Sequence, residues 1–328
     1  MSIRESKRDI FTLLGSRKYI DTRLIEHLFR IVDRADYFPP SHKAMAYRNC
    51  PWENDFIHMS SHAVYFEAIC SLRLHPGLSF LNIGSGTGYL STIAGLLLTQ
   101  NGINHGIELN ENCLKYAYER LEQFKKKSLA LDEFNLCEPH FIQGNCLNVI
   151  PDRQYDRVYC GAGCPEAHEA FIKQFVCIGG ILVMPFKDYL IQYQKIDEQT
   201  WLEDRLLPVS FTPLVVPTHS VEPYIRLPPL NPLSLMELCK GTIRQRLIEN
   251  NRRNNRWNVE FLNPSTHGNP PLRHWETLFK IHKDGEEYRN YYDNRDSISS
   301  CMKEKIRRLP LPFKLKMYIN YNRDLSDK

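Results

Sequence analysis

Between residues 78 and 217, short apolar runs alternate with amphipathic segments along the chain. The apolar runs are strand candidates, at 80–83, 103–109, 140–143, 157–160, 181–185, 190–196 and 206–216. Three intervening segments, at 89–98, 111–124 and 166–176, have helical spacing. Such alternation predicts an α/β fold, a mostly parallel sheet with helices on both faces. Because no helix separates the last two strands, we expect them to pair antiparallel at one end of the sheet.

Different patterns flank this region on both sides. Residues 20–36 have apolar positions at helical spacing, with Asp21 or Thr22 as N-cap, so we expect a helix there. After about residue 226 prolines cluster, and Asn and Arg dominate 250–256. We therefore expect one domain over 1–226 and a partly disordered, helical C-terminal extension over 227–328. Within that extension, 250–296 has weak periodicity and is predicted to be an insert.

Composition excludes several classes of protein. The 328 residues are 42% hydrophobic and 24% charged, which is ordinary for a globular chain. The net charge of +4 does not by itself indicate nucleic acid or a membrane as partner. No apolar run is long enough to span a bilayer, so we expect no membrane segment. The ten cysteines include no Cys-x-x-Cys pair, so we expect no metal site and most thiols buried.

The compartment is predicted from the same features. A polar N-terminus and unpaired cysteines favour a reducing, cytoplasmic location. The basic run 252–256 beside Trp257 favours a solvated linker or a nuclear-import signal, so a nuclear location is also open. Contact of this run with nucleic acid is the less favoured alternative.

A glycine-rich loop follows the first strand candidate of the sheet. Gly84-Ser85-Gly86-Thr87-Gly88 lies between strand and helix, where glycines allow a tight turn and the helix offers free N–H groups. The spacing matches neither the dinucleotide fingerprint nor a phosphate-binding Walker loop. Glu108 ends the next strand, where a carboxylate can accept both hydroxyls of a ribose. Together they predict an adenosyl ligand, and S-adenosylmethionine is favoured over NAD.

Several segments together resemble the protein-L-isoaspartate O-methyltransferase family. They are the glycine loop, Gly106-Ile107-Glu108, Gly161-Ala162-Gly163, residues 179–185, Val32-Asp33-Arg34 with Tyr37, and Ile57-His58-Met59-Ser60. The resemblance covers about residues 18–217. It implies a Rossmann-like methyltransferase sheet, S-adenosylmethionine as cofactor, and esterification of the α-carboxylate of isoaspartyl residues in damaged proteins. It also implies that Ser60 is the catalytic serine, which hydrogen-bonds the substrate.

Other positions depart from the family's pattern. A histidine that contacts the cofactor is Tyr65 here, the aspartate before the glycine loop is Asn82, and a threonine contact is Val215. The family's Gly-Asp-Gly is Gly144-Asn145-Cys146, although the Asn145 carbonyl oxygen can still accept from an adenine amino group. The residues expected to bind the cofactor are Gly84, Ser85, Gly86, Thr87, Gly88, Glu108, Asn145, Cys146 and Tyr65. Because of these departures, the sequence does not decide whether the protein transfers a methyl group. The alternative interpretation is an active enzyme whose sequence has drifted from the family's pattern.

Two short segments of the extension resemble the boxes of SOCS-box proteins. In 234–244, Ser234 and Glu237 form a capping box, and the spacing of Leu235, Cys239 and Ile243 resembles an Elongin-binding box. In 306–319, the run Leu309-Pro310-Leu311-Pro312 resembles a Cullin-5 box, with a helix expected after it. The simpler alternatives are an amphipathic helix that docks on its own domain and a terminal helix delimited by prolines.

The domain and both boxes together resemble the protein-L-isoaspartate O-methyltransferase domain-containing proteins. That resemblance implies a substrate-recognition adaptor that brings isoaspartyl-containing proteins to an Elongin B/C and Cullin-5 ubiquitin ligase. The alternative is an active methyltransferase that repairs isoaspartyl residues. A third hypothesis, less favoured, is methylation of another carboxylate or of a small molecule.

Overall fold

The computed structural model describes residues 22–217, 224–229, 232–254 and 295–325. They form two compact units. The first contains 32–122, 136–217 and 224–229, and the second contains 22–31, 123–135, 232–254 and 295–325. Two early segments are thus grouped with the C-terminal residues, whereas the division expected at residue 226 followed chain order alone. Most of the expected insert, 255–294, lies outside the described residues.

The first unit contains a hairpin and a seven-stranded mixed sheet. The hairpin strands are β1 (Trp52–Asn54) and β2 (Ile57–Met59). The sheet strands are β3 (Ser79–Ile83), β4 (Ile103–Glu108), β5 (His140–Gln143), β6 (Tyr155–Cys160), β7 (Val176–Phe186), β8 (Tyr189–Lys195) and β9 (Trp201–Pro208). Their order is β5-β4-β3-β6-β7-β8-β9, with β3 to β7 parallel. The antiparallel pairing of β8 with β7 and β9 confirms the pair expected at the end of the sheet.

Helices of the first unit flank this sheet, as the alternating pattern predicts. Across both units the described helices are α1 (Thr22–Ile31), α2 (His62–Leu72), α3 (Tyr89–Leu98), α4 (Glu111–Lys127), α5 (Ala130–Glu133), α6 (Glu169–Lys173), α7 (Leu235–Asn254), α8 (Arg295–Arg308) and α9 (Phe313–Ile319). In the first unit, α2 packs on β6 and β7, α3 on β3 and β4, and α6 on β7. All ten residues of α3 are buried, as expected of a helix that is apolar all round. The α/β fold class is confirmed.

The central parallel strands supply the core of the first unit. Leu81 and Ile83 of β3 pack in one cluster with Val158, Leu182 and Met184 of the neighbouring strands, and all five are essentially inaccessible to solvent. A strand that is covered on both faces needs apolar residues at nearly every position. That requirement produces the continuous apolar runs from which these strands are predicted.

Three expected element boundaries are wrong. The last strand occupies Trp201–Pro208 rather than 206–216, because the charged run 203–205 interrupts the apolar pattern of the exposed edge strand β9 and Pro213 cannot donate to a ladder. The helix expected over 20–36 ends at Ile31, and Asp33 caps a separate 3-10 turn by accepting from the Ala35 N–H at 3.0 Å. The helix expected over 166–176 is a 3-10 turn followed by α6, since β7 already begins at Val176.

The sequence reasoning missed the β1–β2 hairpin and helix α2. Ser61 caps α2 by accepting from the Val64 N–H at 3.4 Å, and a serine before an apolar run is a recognisable start signal. The hairpin strands have only three residues each, which is too short for alternation to stand out. Both elements flank Ser60, so the region around the expected catalytic serine was the least well predicted part of the sheet domain.

The second unit has its own small apolar cluster. Its buried members are Leu247, Ile248, Met302, Ile306, Ile319 and Leu325. The capping box at the start of α7 is confirmed, because the Ser234 N–H donates to Glu237 at 2.7 Å and the Glu237 N–H donates back at 3.3 Å. The helix continues to Asn254, ten residues beyond the box segment. The helix expected after the Leu-Pro-Leu-Pro run is α9.

Buried arginines connect the segments of the second unit. The Arg244 guanidinium is fully buried and donates to the Asn135 side chain at 3.1 Å, to the Ile319 carbonyl at 3.0 Å and to the Leu131 carbonyl. Arg323 forms a buried ion pair with Asp132. The residues of 123–135 are therefore bonded to the C-terminal helices, and the extension is not a free tail.

Candidate active site

Three glycines give the loop between β3 and α3 its shape. Gly84, Gly86 and Gly88 have φ values of +72°, +55° and +79°, a region that residues with a Cβ rarely adopt. The N–H groups of Gly84 and Ser85 both donate to the Ile107 carbonyl at 2.9 Å, which ties the loop to the end of β4. The loop thus lies over the carboxyl ends of β3 and β4, where open α/β sheets bind ligands.

Glu108 is locked to this loop. One carboxylate oxygen accepts from the Gly86 N–H at 2.8 Å, and the other accepts from the Asn110 N–H at 2.9 Å. Gly106 allows the approach, because a Cβ there would lie 2.8 Å from the Ser85 Cβ and 2.7 Å from Phe141 Cδ1. The acid and the loop that were singled out in the sequence are therefore one preorganised unit.

A cleft of about 280 Å³ opens beside the loop, near the lower end of the size range of ligand pockets. Eight of the ten residues expected in the catalytic and cofactor sites line it, namely Ser60, Tyr65, Gly84, Ser85, Gly86, Glu108, Asn145 and Cys146. Thr87 and Gly88 are not among its lining residues. The Thr87 hydroxyl donates to the Met59 sulfur at 3.0 Å, and a Cβ on Gly88 would meet Phe141 at 2.8 Å. These two residues shape the loop from behind, and a direct cofactor contact remains a prediction.

Asn145 uses its side chain to hold the wall of the cleft. Its carbonyl oxygen accepts from the Leu147 N–H at 3.0 Å, and its amide donates to the Val215 carbonyl at 2.8 Å. The second lone pair of the carbonyl oxygen is what remains for the expected adenine contact. Val215 belongs to residues 209–217, which we name the strap, and whose Phe211 to Val215 line the cleft.

The strap was missed because it was taken as part of the last strand. It runs alongside the loop after β6, where the Gly163 N–H donates to the Thr212 carbonyl at 2.9 Å and the Leu214 N–H donates back to the Gly163 carbonyl at 2.8 Å. Two prolines within 206–216 are the signal in the sequence against a continuous strand.

Ser60 is fixed from both sides through its backbone. Its N–H donates to the Tyr65 phenol oxygen at 3.2 Å, and its carbonyl accepts from Arg34 Nη2 at 2.5 Å. Arg34 also donates to the Ala46 carbonyl at 2.9 Å, so one buried guanidinium holds two segments of the loop region. Burial raises the pKa of the Tyr65 phenol, which is therefore neutral at physiological pH.

The hairpin adds residues that the sequence reasoning did not select. Glu53, Phe56 and His58 line the cleft, and Phe56 contacts the Tyr116 ring edge-on with centroids 6.3 Å apart. His58 Nδ1 and Glu53 Oε2 are 3.7 Å apart on the exposed side. Tyr159 of β6 also lines the cleft and was also missed.

Unpartnered polar groups show that the cleft fits a polar ligand. The Asn82 carbonyl oxygen and the Ser85 hydroxyl are buried, belong to lining residues, and find no hydrogen-bond partner among the residues that the structure describes. Such groups are rare in native proteins unless a ligand or water satisfies them. Burial raises the pKa of the Cys146 thiol to about 12, so this part of the wall is uncharged. An adenosyl cofactor with polar and apolar parts fits these residues.

A metal site and a membrane-spanning helix, neither of which is expected from the sequence, can be assessed in the described part of the chain only. Within 22–217, 224–229, 232–254 and 295–325, no group of histidine, cysteine, aspartate and glutamate side chains is arranged to hold a metal ion. In the same ranges, no helix combines the length and apolarity that crossing a membrane requires. Six of the ten cysteines are buried, whereas Cys50 and Cys239 are exposed.

Comparisons with known proteins agree with this geometry. The family model of protein-L-isoaspartate(D-aspartate) O-methyltransferase matches residues 5–219. A protein-L-isoaspartate O-methyltransferase of Methanococcus vannielii is 29% identical over 63% of this chain and 95% of its own length. One of Ignicoccus hospitalis is 26% identical over 64% of this chain and 98% of its own length.

The fold is also similar to a solved structure. A crystal structure of a candidate protein-L-isoaspartate O-methyltransferase of Plasmodium falciparum, in complex with S-adenosyl-L-homocysteine, superposes with a TM-score of 0.53 at 19% identity. It covers 65% of this chain and 97% of its own. S-adenosylmethionine, the cofactor predicted from the sequence, agrees with a methyltransferase family. With a family model that spans nearly two thirds of the residues and a cleft built as described, the chain belongs to the protein-L-isoaspartate(D-aspartate) O-methyltransferase family.

Proposed function

We propose that this protein methylates the carboxylate of isoaspartyl residues in damaged proteins, with S-adenosylmethionine as donor. The observation that carries the proposal is that Ser60, the glycine loop and Glu108 line one cleft. When bound, the cofactor supplies a sulfonium methyl group, whose C–S bond breaks as the acceptor oxygen forms the new C–O bond and sulfur keeps the electron pair. The chain's own residues bind and orient the two reactants.

Each residue has a limited task in this reaction. Glu108, held by two N–H groups, presents a fixed carboxylate to ribose hydroxyls. Ser60, held by Tyr65 and Arg34, presents a hydroxyl to the acceptor. A carboxylate is already ionised at neutral pH, so the reaction needs no general base. Positioning of the reactants and exclusion of water therefore account for the catalysis, and the residues that line the cleft supply the positioning.

A paired-peptide assay tests this function. The protein is incubated with S-adenosylmethionine and an isoaspartyl peptide, or with the same peptide carrying ordinary aspartate. We expect methylation of the isoaspartyl peptide alone and a loss of about tenfold or more in kcat/KM for Ser60→Ala, as for other single donors in active sites. Equal rates on both peptides, or full activity of Ser60→Ala, would refute the assignment.

We also propose an adaptor role, which one feature of the second unit favours. The first turns of α7 expose apolar side chains: Leu235 is 77% exposed, and Met236, Leu238 and Cys239 are exposed as well. Exposed apolar residues grouped on one short segment often mark a protein interface. The expected partner is Elongin B/C, with Cullin-5 bound through 306–319, and isoaspartyl proteins would then be presented to a ubiquitin ligase.

The structure divides the residues assigned to this role into two groups. Ile243, Leu309 and Leu311 are half-buried and pack against the apolar cluster of the second unit. Pro310 and Pro312 are exposed. The contact surface offered by the second box is therefore narrower than the sequence pattern suggests, and Leu235 and Cys239 are the sharper targets for mutation.

Co-purification with Elongin B/C tests the adaptor role. We expect retention by the wild-type protein, loss in the double variant Leu235→Ala/Cys239→Ala, and no change for Asn250→Ala, an exposed residue farther along α7. Retention that is absent from the wild type, or unchanged in the double variant, would rule the role out. This result is independent of methyl transfer.

A further inference from the structure

Tyr159 lies at the meeting point of the glycine loop and the Ser60 region. It precedes the last residue of β6, and its register partner on β3 is Asn82. Tyr159 lines the same cleft as Ser60, and its ring lies 3.4 Å from where a Cβ on Gly161 would be. The side chain is only 2% exposed, so the ring is held rigidly against the floor of the cleft.

The hydroxyl of Tyr159 has the Ser60 side chain near it but no well-formed hydrogen-bond partner among the described residues. Tyr65 differs, because its phenol oxygen already accepts from the Ser60 N–H. A buried donor without a partner is costly, and in a cleft it indicates a ligand group that completes it.

This hydroxyl is a neutral donor beside the serine. Burial raises the pKa of Tyr159 well above its ordinary value, against a smaller opposite effect of the Ser60 side chain. The phenol therefore keeps its proton at physiological pH. Ser60 and Tyr159 line the same cleft, so their hydroxyl groups face the same ligand space. Two adjacent hydroxyls can donate to the two oxygens of one carboxylate.

The charge behind Ser60 favours an anion at this point. Arg34 is buried and bonds to the carbonyl groups of Ala46 and Ser60. Among the described residues, no carboxylate lies within ion-pair distance of Arg34, and the neighbouring Asp33 accepts from the Tyr47 hydroxyl and the Ala35 N–H. A buried positive charge that has no counter-ion within the described ranges attracts a negative group to the nearest open position.

We infer that Tyr159 is a second acceptor-binding residue, whose hydroxyl donates to the substrate carboxylate together with that of Ser60. Arg34 supplies the positive potential behind them. The inference rests on the proposed function, because it assumes a carboxylate acceptor at Ser60. It assigns to Tyr159 a contact with the acceptor and none with the cofactor.

The test compares Tyr159→Phe with a matched control, Tyr193→Phe. Tyr193 is a fully buried tyrosine of β8 whose hydroxyl is also unpartnered among the described residues, but it does not line the cleft. Calorimetry measures the affinity for S-adenosylhomocysteine, and then for the isoaspartyl peptide and its aspartyl twin in the presence of saturating S-adenosylhomocysteine. For Tyr159→Phe we expect about tenfold weaker binding of the isoaspartyl peptide and unchanged cofactor affinity, as for loss of one hydrogen bond to a charged group. We expect Tyr193→Phe to change neither affinity.

Three results in the variants would overturn the inference. A parallel loss of S-adenosylhomocysteine affinity would place the hydroxyl on the cofactor. An equal loss in Tyr193→Phe would show a general packing effect, and unchanged peptide affinity in Tyr159→Phe would remove the contact. If the wild-type protein binds the isoaspartyl peptide selectively but transfers no methyl group, the proposed reaction fails while the binding comparison still decides the role of Tyr159. A wild type without preference for the isoaspartyl peptide overturns both.

Discussion

Replacing Gly106 by alanine should disturb the cofactor site through packing alone. The new Cβ would lie 2.7 Å from Phe141 Cδ1 and 2.8 Å from the Ser85 Cβ, closer than such atoms approach in folded proteins. Since β4 is held between β3 and β5, the Phe141 ring and the glycine loop at Ser85 must both move. Overpacking of this kind costs about 1–3 kcal/mol.

The displacement of the glycine loop should lower both the Tm and the affinity for S-adenosylhomocysteine. For a unit of this size each kcal/mol corresponds to about 2–4 °C in Tm, so we expect a decrease of several degrees. Moving Ser85 also lengthens the hydrogen bonds that the loop N–H groups donate to the Ile107 carbonyl. It further shifts the Gly86 N–H, which donates to the Glu108 carboxylate. We expect S-adenosylhomocysteine affinity to fall about tenfold, which corresponds to about 1.4 kcal/mol.

Gly77→Ala is the matched control for this experiment. Gly77 has φ +85° and open space around its Cβ position, so alanine strains the backbone there without touching the glycine loop. Scanning calorimetry and titration with S-adenosylhomocysteine are run on both variants. Comparable losses of Tm with weakened affinity only in Gly106→Ala support the account. Normal affinity in Gly106→Ala, or equally weak affinity in both variants, would show that the loop is not held by this contact.

Three further predictions concern other parts of the molecule. Glu108→Gln leaves one backbone N–H facing an amide, so we expect about tenfold weaker S-adenosylhomocysteine binding, measured by calorimetry, and unchanged binding would remove Glu108 from the site. Arg323→Met leaves Asp132 buried and unpaired, so we expect the unfolding free energy of the second unit, measured with denaturant, to fall by about 3–5 kcal/mol, and a loss under 1 kcal/mol would show that the Arg323–Asp132 ion pair does not stabilise this unit. Burial lowers the pKa of His105 to about 4, so its stabilising effect is present above pH 6.5 and is lost as the pH falls towards 4, up to about 3 kcal/mol in unfolding free energy. His105→Gln should flatten that pH dependence, and an unchanged slope would assign it to other groups.

The parts that sequence reasoning predicted well are those where one physical requirement acts on many consecutive residues. Burial of β3, β6 and β7 on both faces demands apolar residues throughout, so these strands stand out. The glycine loop stands out for a related reason, because a left-handed backbone and the close approach of the loop to β4 admit few residue types other than glycine. Glu108 is recognisable because it ends the strand beside that loop. The capping box of α7 is likewise read directly from Ser234 and Glu237.

The parts that were missed depend on contacts between distant segments. Tyr159 lines the cleft together with Ser60, which lies about a hundred residues earlier, and no local pattern records that pairing. The hydrogen bond from the Asn145 amide to the Val215 carbonyl of the strap is a further contact of this kind, and it leaves the predicted adenine contact open. The grouping of residues 22–31 and 123–135 with the C-terminal helices also depends on segments that are far apart in the chain. In each case tertiary contacts decide the outcome.

Methyl transfer to a defined carboxylate tests the central claim most directly. The full chain is incubated with methyl-labelled S-adenosylmethionine and an isoaspartyl peptide, and mass spectrometry locates the added methyl group. The account predicts one methyl ester, on the isoaspartyl carboxylate, and none on the aspartyl twin. A protein that binds S-adenosylmethionine in the cleft beside Glu108 and yet esterifies neither peptide would contradict it.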